Sequence, residues 1–211
     1  MAVVRVGADL QKAVDACPPG GCLLLEEGVH ILAESLFLRK EVHLFGRGTA
    51  ELRASGPFAV VQCLEGAGFG GMFGVNVRKL GGGSEDKHGA VHIAHGRFRL
   101  EGCQLIVDSL ESEGACLVVE GASASPTLLD CRRAQPLAVD LLFLKFSSVA
   151  ASNFSSPRIW VLHCRIAGSQ TYGIHARSMC NGRLERCEIC GSGAFCVQLT
   201  SHALIKAFDC G

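Results

Sequence analysis

The side chains best suited to chemistry in this sequence are thiols, imidazoles and a few scattered charges. Cys180, Cys187, Cys190 and Cys196 lie close together, with His175 a few residues upstream, and Cys187-Glu188-Ile189-Cys190 is a Cys-x-x-Cys pair of the kind that holds zinc. A second group, Asp130, His163 and Arg186, offers a carboxylate, an imidazole and a guanidinium, the types from which a hydrolase or lyase site is assembled. A third group offers contact rather than catalysis. His92, His175 and Gln198 can reach sugar hydroxyls or a peptide, and Phe143 and Phe154 can anchor a partner. Whether any of these groups acts together depends on the elements that carry them.

Those elements are set by a repeat. A shift of 23 positions lays Val161-Leu162-His163-Cys164-Arg165-Ile166 over Leu184-Glu185-Arg186-Cys187-Glu188-Ile189, and carries Cys187 onto Cys210. Traced backwards, the column runs Cys210, Cys187, Cys164, Cys131, Cys103 and Val75. Three residues before each member sits an apolar residue: Ala207, Leu184, Val161, Leu128, Leu100 or Met72. Two residues after come Ile189, Ile166, Leu105 and Val77, with Arg133 the exception. A unit this short, with apolar residues two or three apart and Gly-Ser punctuation, has no room for a helix in each repeat and lacks the leucine-rich framework. It predicts an all-β parallel β-helix of about six or seven coils.

The repeat also weighs the candidate sites. Cys187 falls in the inward column and Cys196 takes the repeat position of Gly173, so these thiols read as structural and no metal or cofactor is expected. Gly66-Ala67-Gly68-Phe69-Gly70-Gly71 is not a phosphate loop and reads as turn glycines. Asp130, His163 and Arg186 fall just before the column and form a mixed-charge stripe, which a solvated sheet face also requires. His92 and His175 are expected in an outward row with Gln62, Val118 and Gln198.

Composition sets the remaining bounds. A formal net charge of zero without a basic patch argues against nucleic acid and anionic membranes, and no apolar run approaches a membrane span. Twelve cysteines with no signal-peptide pattern at the N-terminus point to an intracellular, reducing compartment. Ala8 to Cys17 reads as a helix stopped by Pro18-Pro19-Gly20-Gly21, placed to cover the open end of the first coil. One domain is expected over residues 1–211, with a strand and helix cap in 1–21, coils in 22–211 and a protruding insertion around 141–157. A last coil ending on Cys210 with no cap suggests a piece of a longer protein, or an edge open to self-association.

Several motifs carry a family resemblance. Asp9-Leu10-Gln11-Lys12-Ala13-Val14-Asp15-Ala16-Cys17-Pro18-Pro19-Gly20, then Leu23-Leu24-Leu25, Glu27-Gly28-Val29-His30 and Val42-His43-Leu44-Phe45-Gly46-Arg47-Gly48, resemble the opening of the pectin-lyase-like β-helix superfamily, which implies a right-handed parallel β-helix. The later coils resemble the F-box-only β-helix proteins and the Shc SH2-domain-binding protein group, where Asn often fills the turn column that holds Cys here. The resemblance implies a non-catalytic scaffold recognising a protein partner through the insertion and the flat outward rows. The alternative it implies is a polysaccharide lyase or hydrolase, or a carbohydrate-binding β-helix.

Overall fold

Strands with apolar residues at every second position bury one face only when successive coils stack in register. The computed structural model shows that stack, a right-handed parallel β-helix, and describes residues 1–81, 88–108, 116–120, 123–131, 142–144, 158–167, 172–177, 180–190, 195–200 and 203–211. Sheet A has nine strands: β1 (Ala2–Val4), β2 (Gly21–Leu25), β5 (Val42–Gly46), β8 (Gly71–Phe73), β11 (Arg99–Glu101), β14 (Thr127–Leu129), β16 (Arg158–Leu162), β19 (Asn181–Glu185) and β22 (Leu204–Phe208). Sheet B has β3 (Gly28–Leu32), β6 (Ala50–Ser55), β9 (Asn76–Leu80) and β12 (Gln104–Asp108), and resumes as the pair β17 (Arg165–Ala167) and β20 (Glu188–Cys190). Sheet C has β4 (Leu36–Leu38), β7 (Val61–Cys63), β10 (Val91–Ile93), β13 (Leu117–Val119), β15 (Leu142–Leu144), β18 (Tyr172–Arg177) and β21 (Phe195–Thr200). All strand pairings among the described residues are parallel.

The inward columns are those expected from the repeat. Leu44, Met72, Leu100, Leu128, Val161 and Leu184 stack rung on rung in sheet A, and each is buried. Val75, Cys103, Cys131, Cys164 and Cys187 are likewise buried, while Cys210 is exposed. The thiols are satisfied across coils. Cys103 Sγ donates to Met72 O at 3.3 Å, Cys131 Sγ to Leu100 O at 3.4 Å and Cys187 Sγ to Val161 O at 3.3 Å. A neighbouring thiol and burial push Cys103 upward, and burial alone pushes Cys180 up to about 11, so these groups stay neutral and pack as small hydrophobes.

The N-terminal helix α1 (Leu10–Ala16) starts where Asp9 accepts the Lys12 N–H at 2.9 Å, a cap contributing about 1 kcal/mol. Leu10 and Val14 are its buried face. Its ends lie inside the expected Ala8 to Cys17 span. Gly21 follows because a Cβ there would meet Cys17 Sγ at 2.6 Å and Pro18 O at 2.7 Å. Gln11 then does what a further strand would do for the edge of sheet C. Its side-chain amide donates to Phe37 O at 3.1 Å and accepts from Phe37 N–H at 2.8 Å.

One expectation changes. Leu142–Leu144, assigned to the insertion, is a rung of sheet C that pairs with β13 and β18; 145–157 lies outside the described residues. No helix among the described residues is long and apolar enough to cross a membrane.

Candidate functional site

The strip Asp130, His163 and Arg186 is not on a flat sheet face. These residues and Asp209 have φ of 52°, 54°, 50° and 49°, and stand at the corner where the chain leaves sheet A. Earlier coils use Gly74 and Gly102 at the same corner, with φ of 63° and 61°. The left-handed conformation turns the chain sharply, and a non-glycine residue adopts it at a cost of roughly 1–2 kcal/mol. The corner brings Asp130 Oδ1 within 3.6 Å of His163 Nδ1, with both side chains largely in solvent. It stacks polar tips without enclosing a reacting atom.

In sheet C, Phe37, Gln62, His92 and Val118 are in register, and the backbone pairing continues through Phe143, His175 and Gln198. His92 Nε2 lies 3.5 Å from Glu120 Oε2. Burial lowers the His92 pKa and outweighs the opposing pull of Glu120, so the ring is held neutral. Phe154 lies outside the described residues. Cys180 and Cys187 are buried beyond opposite ends of β19, Cys190 Sγ lies 3.7 Å from Glu188 Oε1, and Cys196 falls within β21. Among the described residues no three His, Cys, Asp or Glu side chains converge as a metal site.

A shallow depression lies elsewhere, on the outer face of sheet A. Alternate residues of β16, β19 and β22 point outward, and the register stacks Arg158, Asn181 and Leu204 in one row and Trp160, Arg183 and Lys206 in the next. Together they border a shallow cleft of ≈ 330 Å³ floored by Ile159 and Gly182. Gly182 faces inward between Ile159 and Ile205, where a Cβ would approach Ile159 Cγ2 to 3.1 Å and Ile205 Cγ1 to 3.2 Å, so only its backbone meets the cleft. Trp160 is 46% exposed, unusual for the largest apolar side chain in the sequence. Arg183 donates twice to Glu185 Oε2, at 3.2 and 2.8 Å, and its guanidinium lies 4.7 Å from the Phe208 ring centroid. Among the described residues Arg158 and Lys206 have no carboxylate partner.

This cleft can hold an extended, flat-faced, anionic ligand. An exposed indole offers a stacking surface, Asn181 offers amide donor and acceptor, and the free cations offer charge. It does not supply the carboxylate pair of a glycosidase. In the outward row, Glu101 and Glu185 are separated by Leu129 and Leu162, three rungs or roughly 14 Å at the usual strand spacing. The working separation is about 5–9.5 Å. None of the cleft's polar residues stands out in sequence, because Arg158, Asn181 and Lys206 become neighbours only through the register. A signal was present: the cleft residues stand four and six positions before Cys164, Cys187 and Cys210, alternating with apolar or glycine residues three and five before, and the chain's one tryptophan falls in that frame.

No family model and no curated protein sequence matches this chain. Its fold is similar to two crystal structures of a pectin methylesterase from Aspergillus niger that differ in their extent of deglycosylation. Each is 12% identical and covers all of this chain and 85% of the esterase, with TM-scores of 0.62 and 0.61. The chain therefore has a pectin-lyase-like β-helix fold.

Proposed function

We propose that the chain is a carbohydrate-binding β-helix that takes an acidic saccharide across the outer face of sheet A at β16, β19 and β22. The observation that carries this reading is the half-exposed Trp160 flanked on adjoining rungs by Arg158, Asn181, Arg183 and Lys206. A sugar ring presents an apolar C–H face to an indole and polar edges to amides and guanidinium groups, and this arrangement meets both. The openness of the cleft suits a chain lying across it better than a small molecule enclosed by it. The esterase of similar fold, named for pectin, is a precedent for saccharide on this scaffold. With no carboxylate pair at a catalytic separation on this face among the described residues, the role assigned to it is binding. Protein recognition through 141–157 is the competing reading.

Trp160 is the sole tryptophan, so its fluorescence reports directly on the cleft. Acidic oligosaccharides are expected to shift its emission saturably, and W160A is expected to abolish binding measured by calorimetry while the fold melts cooperatively. If no saccharide of any charge alters the emission or releases heat, the reading fails, and the search turns to protein partners.

A further inference from the structure

We infer that the saccharide bound at this face carries its negative charge on alternate sugar units, once per disaccharide, rather than on every unit. The inference rests on the saccharide reading above and adds to it the charge pattern of the ligand. The pattern comes from counting charge rung by rung. On β16, Arg158 is exposed and has no carboxylate partner among the described residues. On β22, Lys206 is exposed and equally free. On the middle rung, β19, the cation is spent. Both bonds of Arg183 go to Glu185, its guanidinium is laid on Phe208, and its rung-mate Asn181 is neutral.

Free positive charge therefore sits on the first and third rungs, with a neutral rung between. Two rungs span roughly 10 Å along the helix axis, from a strand separation of about 4.8 Å. That distance matches a disaccharide and exceeds a single sugar. A chain charged at every unit would set a carboxylate over the middle rung, opposite Asn181 and beside the Glu185 carboxylate. Like charges so placed reject the wrong ligand. Glu185 is thus the specificity-determining residue: it cancels Arg183 and presents its own negative edge.

The test uses the intact chain, Trp160 emission and hexasaccharides of one length at fixed ionic strength. One has neutral glucose units, one alternates glucuronate with N-acetylglucosamine, one alternates sulfated with unsulfated units, and one is galacturonate throughout. An alternating hexasaccharide is expected to bind about tenfold more tightly than the uniform one, and R158Q and K206Q are each expected to lose about tenfold, the equivalent of one charge-assisted contact. The carboxylated and sulfated forms show which anion is preferred. E185Q is expected to narrow the gap by strengthening binding of the uniform chain, a change that a merely structural role would not produce. Equal or tighter binding of galacturonate by the wild type overturns the inference and leaves the saccharide reading standing, as does neutral glucose binding as well as the alternating chains. Silence from all four hexasaccharides overturns the saccharide reading itself.

Discussion

On the outer face of sheet B, Arg53 lies 2.6 Å from Glu51, and Arg78 bridges Glu51 at 3.4 Å and Asp108 at 2.7 Å. On the outer face of sheet A, several coils later, Arg158 and Lys206 reach solvent without a carboxylate partner among the described residues. Both faces are made by the same stacking of alternate residues, and both are rich in arginine. Two bases close on two acids in sheet B, with Glu51 only 12% exposed, and the face is electrostatically finished. In the cleft of sheet A Arg183 is closed by Glu185, and among the described residues the cations of Arg158 and Lys206 are left without a carboxylate. A finished network adds to stability and offers little to a ligand, whereas leftover cations beside an exposed indole add little stability and offer a great deal. Pairing, more than composition, separates a surface from a site.

The largest effect should come from beneath both faces. Cys164→Asp places an unpaired carboxylate in the inward column, where an uncompensated buried charge costs about 3–5 kcal/mol, and thermal unfolding should show a corresponding drop. A melting temperature close to the wild type would mean that Cys164 is not in the core. The comparison between faces is sharpened next by paired carboxylate deletions. Glu51→Ala strips Arg53 and Arg78 of a shared partner and should cost about 1–2 kcal/mol, while Glu185→Ala in the cleft should stay within about 0.5 kcal/mol. Similar losses for the two would erase the distinction drawn here.

The corner that closes sheet A offers a gain instead of a loss. Arg186→Gly relieves a left-handed residue, and after the extra chain entropy of glycine the net stabilisation should be up to about 1 kcal/mol in a denaturant titration. A loss of stability would show that the Arg186 side chain makes a contact worth more than its backbone strain. The smallest effect concerns sheet C and pH. Burial depresses the His92 pKa in the folded chain, so its neutral ring favours the fold above the ordinary histidine pKa. That contribution is lost as pH falls through the depressed value, because the unfolded chain takes up the proton first. His92→Gln should flatten the decline in melting temperature on acidification, and an unchanged slope would remove His92 as its source.

The coil columns were legible in the sequence because hydrophobic alternation is a short-range signal. Met72, Leu100, Leu128, Val161 and Leu184 recur three residues before Val75 or a cysteine, and every one is buried. The N-terminal helix was legible for the same reason, with Leu10 and Val14 on one apolar face, whereas the cap at Asp9 came only from the structure. Asp130, His163 and Arg186 were visible as a column but not as corners. Nothing in the residue types Asp, His and Arg signals a positive φ as glycine does, so the turn geometry stayed hidden.

The cleft residues were the least legible. Trp160, Arg183 and Lys206 are ordinary outward residues until the register sets them on adjoining rungs. The sequence by itself determined the parallel β-helix, because burial of a periodic apolar column depends on residue type and spacing, and both are written locally. Only the tertiary structure decided which charges are closed and which remain open. Charge pairing depends on distances between side chains far apart in the chain, as with Arg78 and Asp108, thirty residues apart and 2.7 Å from each other. A shift of one residue in register would turn these outward side chains toward the core and dissolve every such pair.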